Sequence, residues 1–223
     1  MSSAPTSLPL ARALFDMVPM LERLRRLDAD TVVRLRIEPD LLAALAPVPV
    51  GVLVGRTVRM GGGAETPADV TVGAGALADM IAARDPEDPS PLPLPPRRDV
   101  DWHHTTPPRT GWTRIAELTD DEVRSAVRAA ANAVKAAPLP AAAELALDAI
   151  AFPDAAHPTV AKLDRRGPSA LVKLGFLPRG GATAVDTAGT WTRLAAGFGS
   201  VYLHGGRGSG DVGAGPSLLS MLG

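Results

Sequence analysis

The stretch Pro86-Glu87-Asp88-Pro89-Ser90-Pro91-Leu92-Pro93-Leu94-Pro95-Pro96 decides how this 223-residue chain is divided. With Pro107 and Pro108 it places eight prolines within residues 86–108. Proline has no backbone N–H and a fixed φ, so such a run forms neither a helix nor a central strand and favours extended geometry. It predicts a connector over residues 89–110, with one lobe before it (residues 1–88) and another after it (residues 111–204). Six of the eleven residues 205–215 are Gly, which predicts a mobile Gly-rich tail over residues 205–223.

Upstream of the prolines, Ser7 and Pro9 predict a helix start, because proline tolerates the first turn. Leu10, Leu14, Met17, Leu21 and Leu24 then recur at spacings of 4, 3, 4 and 3, one apolar stripe with an expected kink at Pro19. Such a stripe packs on its own sheet or forms a dimer seam, and packing is the better reading. Past Asp28 the period becomes two: Val33, Leu35 and Ile37 alternate with Val32, Arg34 and Arg36, a half-buried strand. Glu38-Pro39-Asp40 turns the chain. Further strands are predicted over residues 50–60 and 70–72, the first ending in Gly61-Gly62-Gly63, and a short helix over 76–84.

Downstream, Thr119-Asp120-Asp121-Glu122 matches a capping box, in which the Thr hydroxyl and Glu carboxylate satisfy orphan amides reciprocally. Val123, Val127, Ala130 and Val134 form the helix's apolar stripe, and Pro138 stops it. The period over residues 141–152 does not choose between helix and strand. Residues 159–163 read as a strand and 168–174 as a helix capped by Gly175. Residues 191–195 and 201–204 read as a hairpin across Gly197-Phe198-Gly199. The fold class is therefore α+β: two small lobes, each a mostly antiparallel sheet backed by a long helix.

Composition removes several function classes. Cysteine is absent, so there is no disulfide, thiol nucleophile or Cys-ligated metal. The charges, 23 basic against 24 acidic, argue against a general polyanion-binding surface. Alanine (38 residues) and an Arg excess of 20 to 3 over Lys reflect a biased composition, which weakens each Arg as a sign of phosphate recognition. Residues 1–9 lack a basic region followed by an apolar one. The longest uncharged stretch, residues 41–55, is broken by Pro47, Pro49 and Gly51 and is shorter than the ~20 apolar residues of a membrane span. The expectation is a cytoplasmic protein with no membrane partner.

Gly73-Ala74-Gly75-Ala76-Leu77-Ala78 reads GxGxxA after a strand, but the second strand and ribose-binding acid of a dinucleotide unit are missing behind it. A strand–helix turn is the better reading, and no cofactor is expected. Gly208-Ser209-Gly210-Asp211-Val212-Gly213 has too little chain behind it for such a unit. Asp99-Val100-Asp101-Trp102-His103-His104 clusters carboxylates and imidazoles, yet neighbours in an extended strand point to opposite faces, so His103 and His104 do not share one ion. The reading there is a connector anchored by Trp102, without metal. His157 and His204 stand alone. Arg34, Arg36, Arg56 and Arg59 make a basic sheet face without interleaved aromatics, so nucleic acid is disfavoured. Arg165-Arg166-Gly167-Pro168-Ser169 places two guanidinium groups before a helix start, whose amides and dipole favour an anion. Arg165, Arg166 and Ser169 are the candidate anion-binding set. No GxxxxGK[ST], HExxH or GxSxG motif is present, and no catalytic residue is assigned.

Val32-Val33-Arg34-Leu35-Arg36, Gly51-Val52-Leu53-Val54-Gly55-Arg56, Asp69-Val70-Thr71-Val72 and Leu171-Val172-Lys173-Leu174-Gly175-Phe176-Leu177 resemble the corresponding stretches of a two-domain family of actinobacterial proteins without an assigned function. The resemblance covers most of residues 8–204. It implies the two-lobe division and a strand over residues 145–152, and carries no activity across. The leading expectation is a non-enzymatic interaction or scaffold protein, homodimeric or bound to a protein partner. The alternative is a module for a phosphate- or anion-bearing small molecule, and the third reading is an enzyme of unrecognised chemistry.

Overall fold

The computed structural model describes residues 7–8, 12–60, 68–88 and 90–205. They fall into two units, the first Met1–Val48 with Gly55–Thr105 and the second Pro49–Val54 with Thr106–Gly223. The Gly61-Gly62-Gly63 turn, Leu10 and the tail beyond Gly205 lie outside the described residues.

The first unit opens with β1 (Ser7–Leu8), then a 3-10 turn (Arg12–Met17) leading into α1 (Val18–Leu27). Ser7 does not start a helix, and Pro19 does not kink one; it sits in the first turn of α1, where its missing N–H costs nothing. The stripe itself holds: Leu14, Met17, Leu21 and Leu24 are all fully buried. β2 (Val32–Ile37), β3 (Leu41–Val48), β4 (Val52–Arg59) and β5 (Ala68–Gly73) follow, in the sheet order β5-β2-β3-β4. β2 buries Val33, Leu35 and Ile37 and leaves Arg34 and Arg36 half-buried, as its alternation requires. β3 runs where the sequence shows only an interrupted apolar stretch. Its pairs with β2 run from Ile37↔Leu42 to Arg34↔Leu45, so Pro47 lies beyond the ladder with β2. α2 (Ala74–Ala82) starts two residues earlier than expected and packs on α1.

The proline-rich segment is not a free connector. Its β6 (Leu92–Pro93) pairs antiparallel with β1, and Leu92 is fully buried. Further on, Arg97 bridges to Val72, and the Arg98 N–H donates to the Thr71 carbonyl at 2.7 Å. The Thr71 N–H in turn donates to the Asp99 carboxylate at 2.8 Å. Residues 90–102 thus finish the first unit rather than leave it.

In the second unit, β7 (Thr113–Thr119) feeds α3 (Asp120–Ala136) through the predicted capping box. The Glu122 N–H donates to Thr119 Oγ1 at 3.3 Å and the Thr119 N–H to Glu122 Oε2 at 2.7 Å. Val123, Ala130 and Val134 are buried as expected, with Ala126 on the inner face in place of Val127. Residues Pro140–Asp148 form helix α4, so the strand implied for 145–152 does not exist; only Ile150 makes an isolated bridge, to Asp164. Pro140 starts this helix, and Ala143 and Leu147, four apart, supply its one buried stripe while Leu145 faces out. The strand expected at 159–163 is a 3-10 turn, Val160–Lys162. α5 (Arg166–Lys173), β8 (Ala182–Ala188), β9 (Trp191–Ala196) and β10 (Gly199–His204) complete the unit in the sheet order β10-β9-β8-β7. The pairings β1–β6, β2–β3, β2–β5, β7–β8, β8–β9 and β9–β10 are all antiparallel, so the fold is mixed helix and antiparallel sheet. Gly167 lets α5 lie close to the sheet: a Cβ there would stand 3.0 Å from Leu194 and 3.2 Å from Leu203.

Candidate binding cavity of the second unit

The arginine pair before α5 is placed by three elements. Arg165 donates through its guanidinium to the Ala146 carbonyl at 3.3 Å, near the C-terminal end of α4, where a cation opposes the helix dipole favourably. Arg166 is buried. Its Nε donates to Asp148 at 2.8 Å, its Nη2 to Glu144 at 2.7 Å and its Nη1 to the Val50 carbonyl at 3.2 Å. Burial alone would lower its pKa, but hydrogen bonds and charge from Asp148 and Glu144 outweigh this and raise it. Ser169 is buried too, and its N–H donates to the Arg165 carbonyl.

The anion reading of Arg165, Arg166 and Ser169 assumed a helix beginning at Pro168 with open amides. The helix begins instead at Arg166, whose N–H is already taken by the Asp164 carboxylate at 3.0 Å. The chain supplies its own anion there, and both guanidinium groups turn toward α4. None of the three lines the second unit's cavity.

An opening lies nearby. A cavity of about 330 Å³ is lined by Val52, Pro158, Leu163 and Leu203 on its apolar side, with Thr159, Lys162, Thr192 and His204 among its polar residues. Its size is that of a small-ligand or side-chain pocket. His204 is oriented by two contacts: its Nε2 lies 2.9 Å from the Thr190 hydroxyl, and its ring packs on Trp191 at 4.6 Å between centroids. His157 is engaged as well, its Nδ1 accepting the Thr159 N–H at 3.2 Å. Local spacing marks none of these cavity residues as a site. They come from four separate segments, and only antiparallel pairing brings Thr192 opposite Leu203.

The other sequence candidates are structural in place. Gly75 of the GxGxxA stretch lies beneath Arg25, whose Cδ would stand 2.9 Å from a Cβ. The Arg25 guanidinium bridges Glu22 at 2.7 Å and Asp79 at 2.8 Å. Gly75 thus serves helix–helix approach. Asp99 and Asp101 accept from Arg97 and Arg98, and the Trp102 Nε1–H donates to the His104 carbonyl at 2.6 Å. The Arg34 guanidinium lies 5.7 Å from the Trp102 ring and 3.3 Å from Asp69, while Arg56 lies 3.9 Å from Asp16. Among the described residues no group of three or more His, Asp or Glu is spaced to hold a metal ion. No described helix is long and apolar enough to cross a membrane.

The chain is similar in fold to solved bacterial DNA polymerase sliding clamps. Against the sliding clamp of Caulobacter crescentus the TM-score is 0.56 at 12% identity, covering 96% of this chain and 68% of that one. Against a second structure, Caulobacter crescentus pol III beta, it is 0.54 at 12% identity, covering 91% and 65%. For the DNA polymerase III subunit beta of Pseudomonas aeruginosa it is 0.52 at 13% identity, covering 91% and 65%. The chain thus spans about two thirds of the length of these proteins, and at such identities the likeness is one of fold. A comparison with curated proteins gave no match. Two family models between them account for most of the chain, each a domain of unknown function: DUF8010 over residues 1–103 and DUF8185 over residues 107–208, consistent with a two-domain uncharacterised family.

Proposed function

We propose that this protein is a non-enzymatic, cytoplasmic and homodimeric interaction scaffold that seats a short apolar segment of a partner protein in the second unit's cavity. The observation that carries this reading is the cavity itself. Its apolar wall of Val52, Pro158, Leu163 and Leu203 fits a side chain of Leu or Met size. Lys162, the residue before the wall residue Leu163 and itself on the lining, can meet a carboxylate of the same segment. His204, held 2.9 Å from the Thr190 hydroxyl and packed on Trp191, gives the polar side of the cavity a fixed wall. The likeness to sliding clamps supports the same direction, since those proteins are by name parts of a DNA polymerase. Nucleic acid is the weaker reading, because the chain's net charge is −1 and Arg34 and Arg56 already face carboxylates.

Selection of random short peptides on the 223-residue chain tests this. The expected winners share one apolar anchor, and Thr192→Arg, which fills the cavity, weakens them at least ~10-fold. Winners that bind Thr192→Arg as tightly as the parent, or none at all, overturn the reading. Inorganic phosphate and duplex DNA belong in the same titration. Saturable phosphate binding lost in Arg165→Ala/Arg166→Ala would favour the small-anion module instead, and salt-sensitive duplex binding a nucleic-acid role.

A further inference from the structure

The outer strands of the two units end differently. In the first unit the free side of β5 is closed by the chain itself, through the Thr71 bonds to Arg98 and Asp99 and the Val72–Arg97 bridge. In the second unit β7 pairs with β8 on one side, and among the described residues no strand pairs with its other. An open strand edge over residues 113–118 is a template for another strand, which proteins usually blunt with charged side chains, proline, bulges or a covering loop.

The edge of β7 is charged, but with both signs. The register against β8 shifts between Arg114 and Ala116, a bulge that leaves Ile115 without a partner there. The extra residue places Arg114 and Glu117, otherwise on opposite faces, on the same face, where they lie 3.8 Å apart with side chains 60% and 61% exposed. If two copies of this strand pair antiparallel about a two-fold axis between Ile115 and Ala116, each Arg114 faces the other copy's Glu117. Ile115 then faces Ala116, and Thr113 faces Leu118. A second copy of the same strand is thus the partner whose charges match.

We propose that β7 is the seam of an isologous homodimer, joined edge to edge with the β7 of a second copy and held in register by two reciprocal Arg114–Glu117 pairs. This rests on the self-association in the preceding reading and adds its location. One strand edge is smaller than a standard interface, so the dimer is weak and is sought at up to about 100 μM.

The test is sedimentation equilibrium of the full chain beside Glu117→Lys, with hydrogen exchange of the β7 amides at low and high protein concentration. The expected results are a concentration-dependent dimer and at least ~10-fold weaker association in Glu117→Lys, where like charges face each other twice. β7 amides should exchange more slowly at high concentration. Glu117 is exposed, and a thermal melt of the variant confirms that it folds. A dimer of unchanged affinity in Glu117→Lys, or β7 exchange indifferent to concentration, overturns the seam and leaves self-association standing. A monomer at every concentration overturns both.

Discussion

Arg166 is the residue on which the second unit's first half depends. One guanidinium, 9% exposed, ties α5 to two carboxylates of α4 and to the carbonyl of Val50. No other side chain supplies three divergent donors in one plane, so lysine cannot replace it. Removing the carboxylates strands a buried cation, which is costlier than never having buried it. With Glu144 32% and Asp148 54% exposed their charges are partly screened, so Glu144→Gln/Asp148→Asn is expected to lose about 1–2 kcal/mol, read from urea denaturation. Loss below about 0.5 kcal/mol would mean that water reaches the guanidinium. The two adjacent arginines are visible in the sequence, but their partners 18 and 22 residues away are not. Helix α4 had no clear period, and without that helix there is no reason to place Glu144 and Asp148 on one side of it.

At the scale of elements, the best-read one is α3, because its start is written in four consecutive residues. Thr119→Ala should cost about 1 kcal/mol at neutral pH. Glu122 adds a pH dependence whose sign is fixed. The Thr119 N–H, then its hydroxyl, hold the Glu122 carboxyl below its ordinary 4.5 against the opposing effect of burial. A carboxyl held low when folded stabilises above its unfolded value and loses that contribution as pH falls through its folded value. The stability gap between the parent and Glu122→Gln should thus be full at neutral pH and close as pH drops below 4.5, checked by denaturation at several pH values. A gap independent of pH would show that the box is held by shape rather than charge. Asp99 behaves alike: burial pushes its carboxyl up, but the Thr71 N–H and the Arg97 guanidinium outweigh this and bring it below the ordinary range. Elements that escaped the sequence share a weakness of pattern. β3 contains a proline, β7 carries a bulge, and β8 is built of Ala, Thr, Val and Asp, with Asp186 buried only because Arg193 and Arg114 reach it at 2.7 and 3.3 Å.

Across the whole molecule, the second unit borrows Pro49–Val54 from within the first half of the chain. The boundary between the two family models, after residue 103, therefore does not separate two self-sufficient pieces. A fragment of residues 106–205 lacks the Val50 carbonyl that receives Arg166 and the Val52 wall of the cavity. It should unfold at clearly lower urea concentration than the full chain, or fail to fold, whereas adding a peptide of residues 48–56 should recover part of the loss. A fragment as stable as the full chain would make the borrowed segment dispensable. By itself the sequence determined what is local: the α1 stripe, the alternation of β2, the capping box, the β9–β10 hairpin, the absence of cysteine chemistry and the near-neutral charge. Each follows from neighbours within a few residues, where periodicity and turn chemistry act. Tertiary structure alone decided that the proline run pairs with β1, that Arg97, Arg98 and Asp99 behind it close β5, that Arg166 is spent on α4 and that Val52, Leu163 and Leu203 meet around one cavity. Those outcomes depend on pairing between distant segments, whose partners are chosen by burial and register across the fold and leave no mark in local spacing.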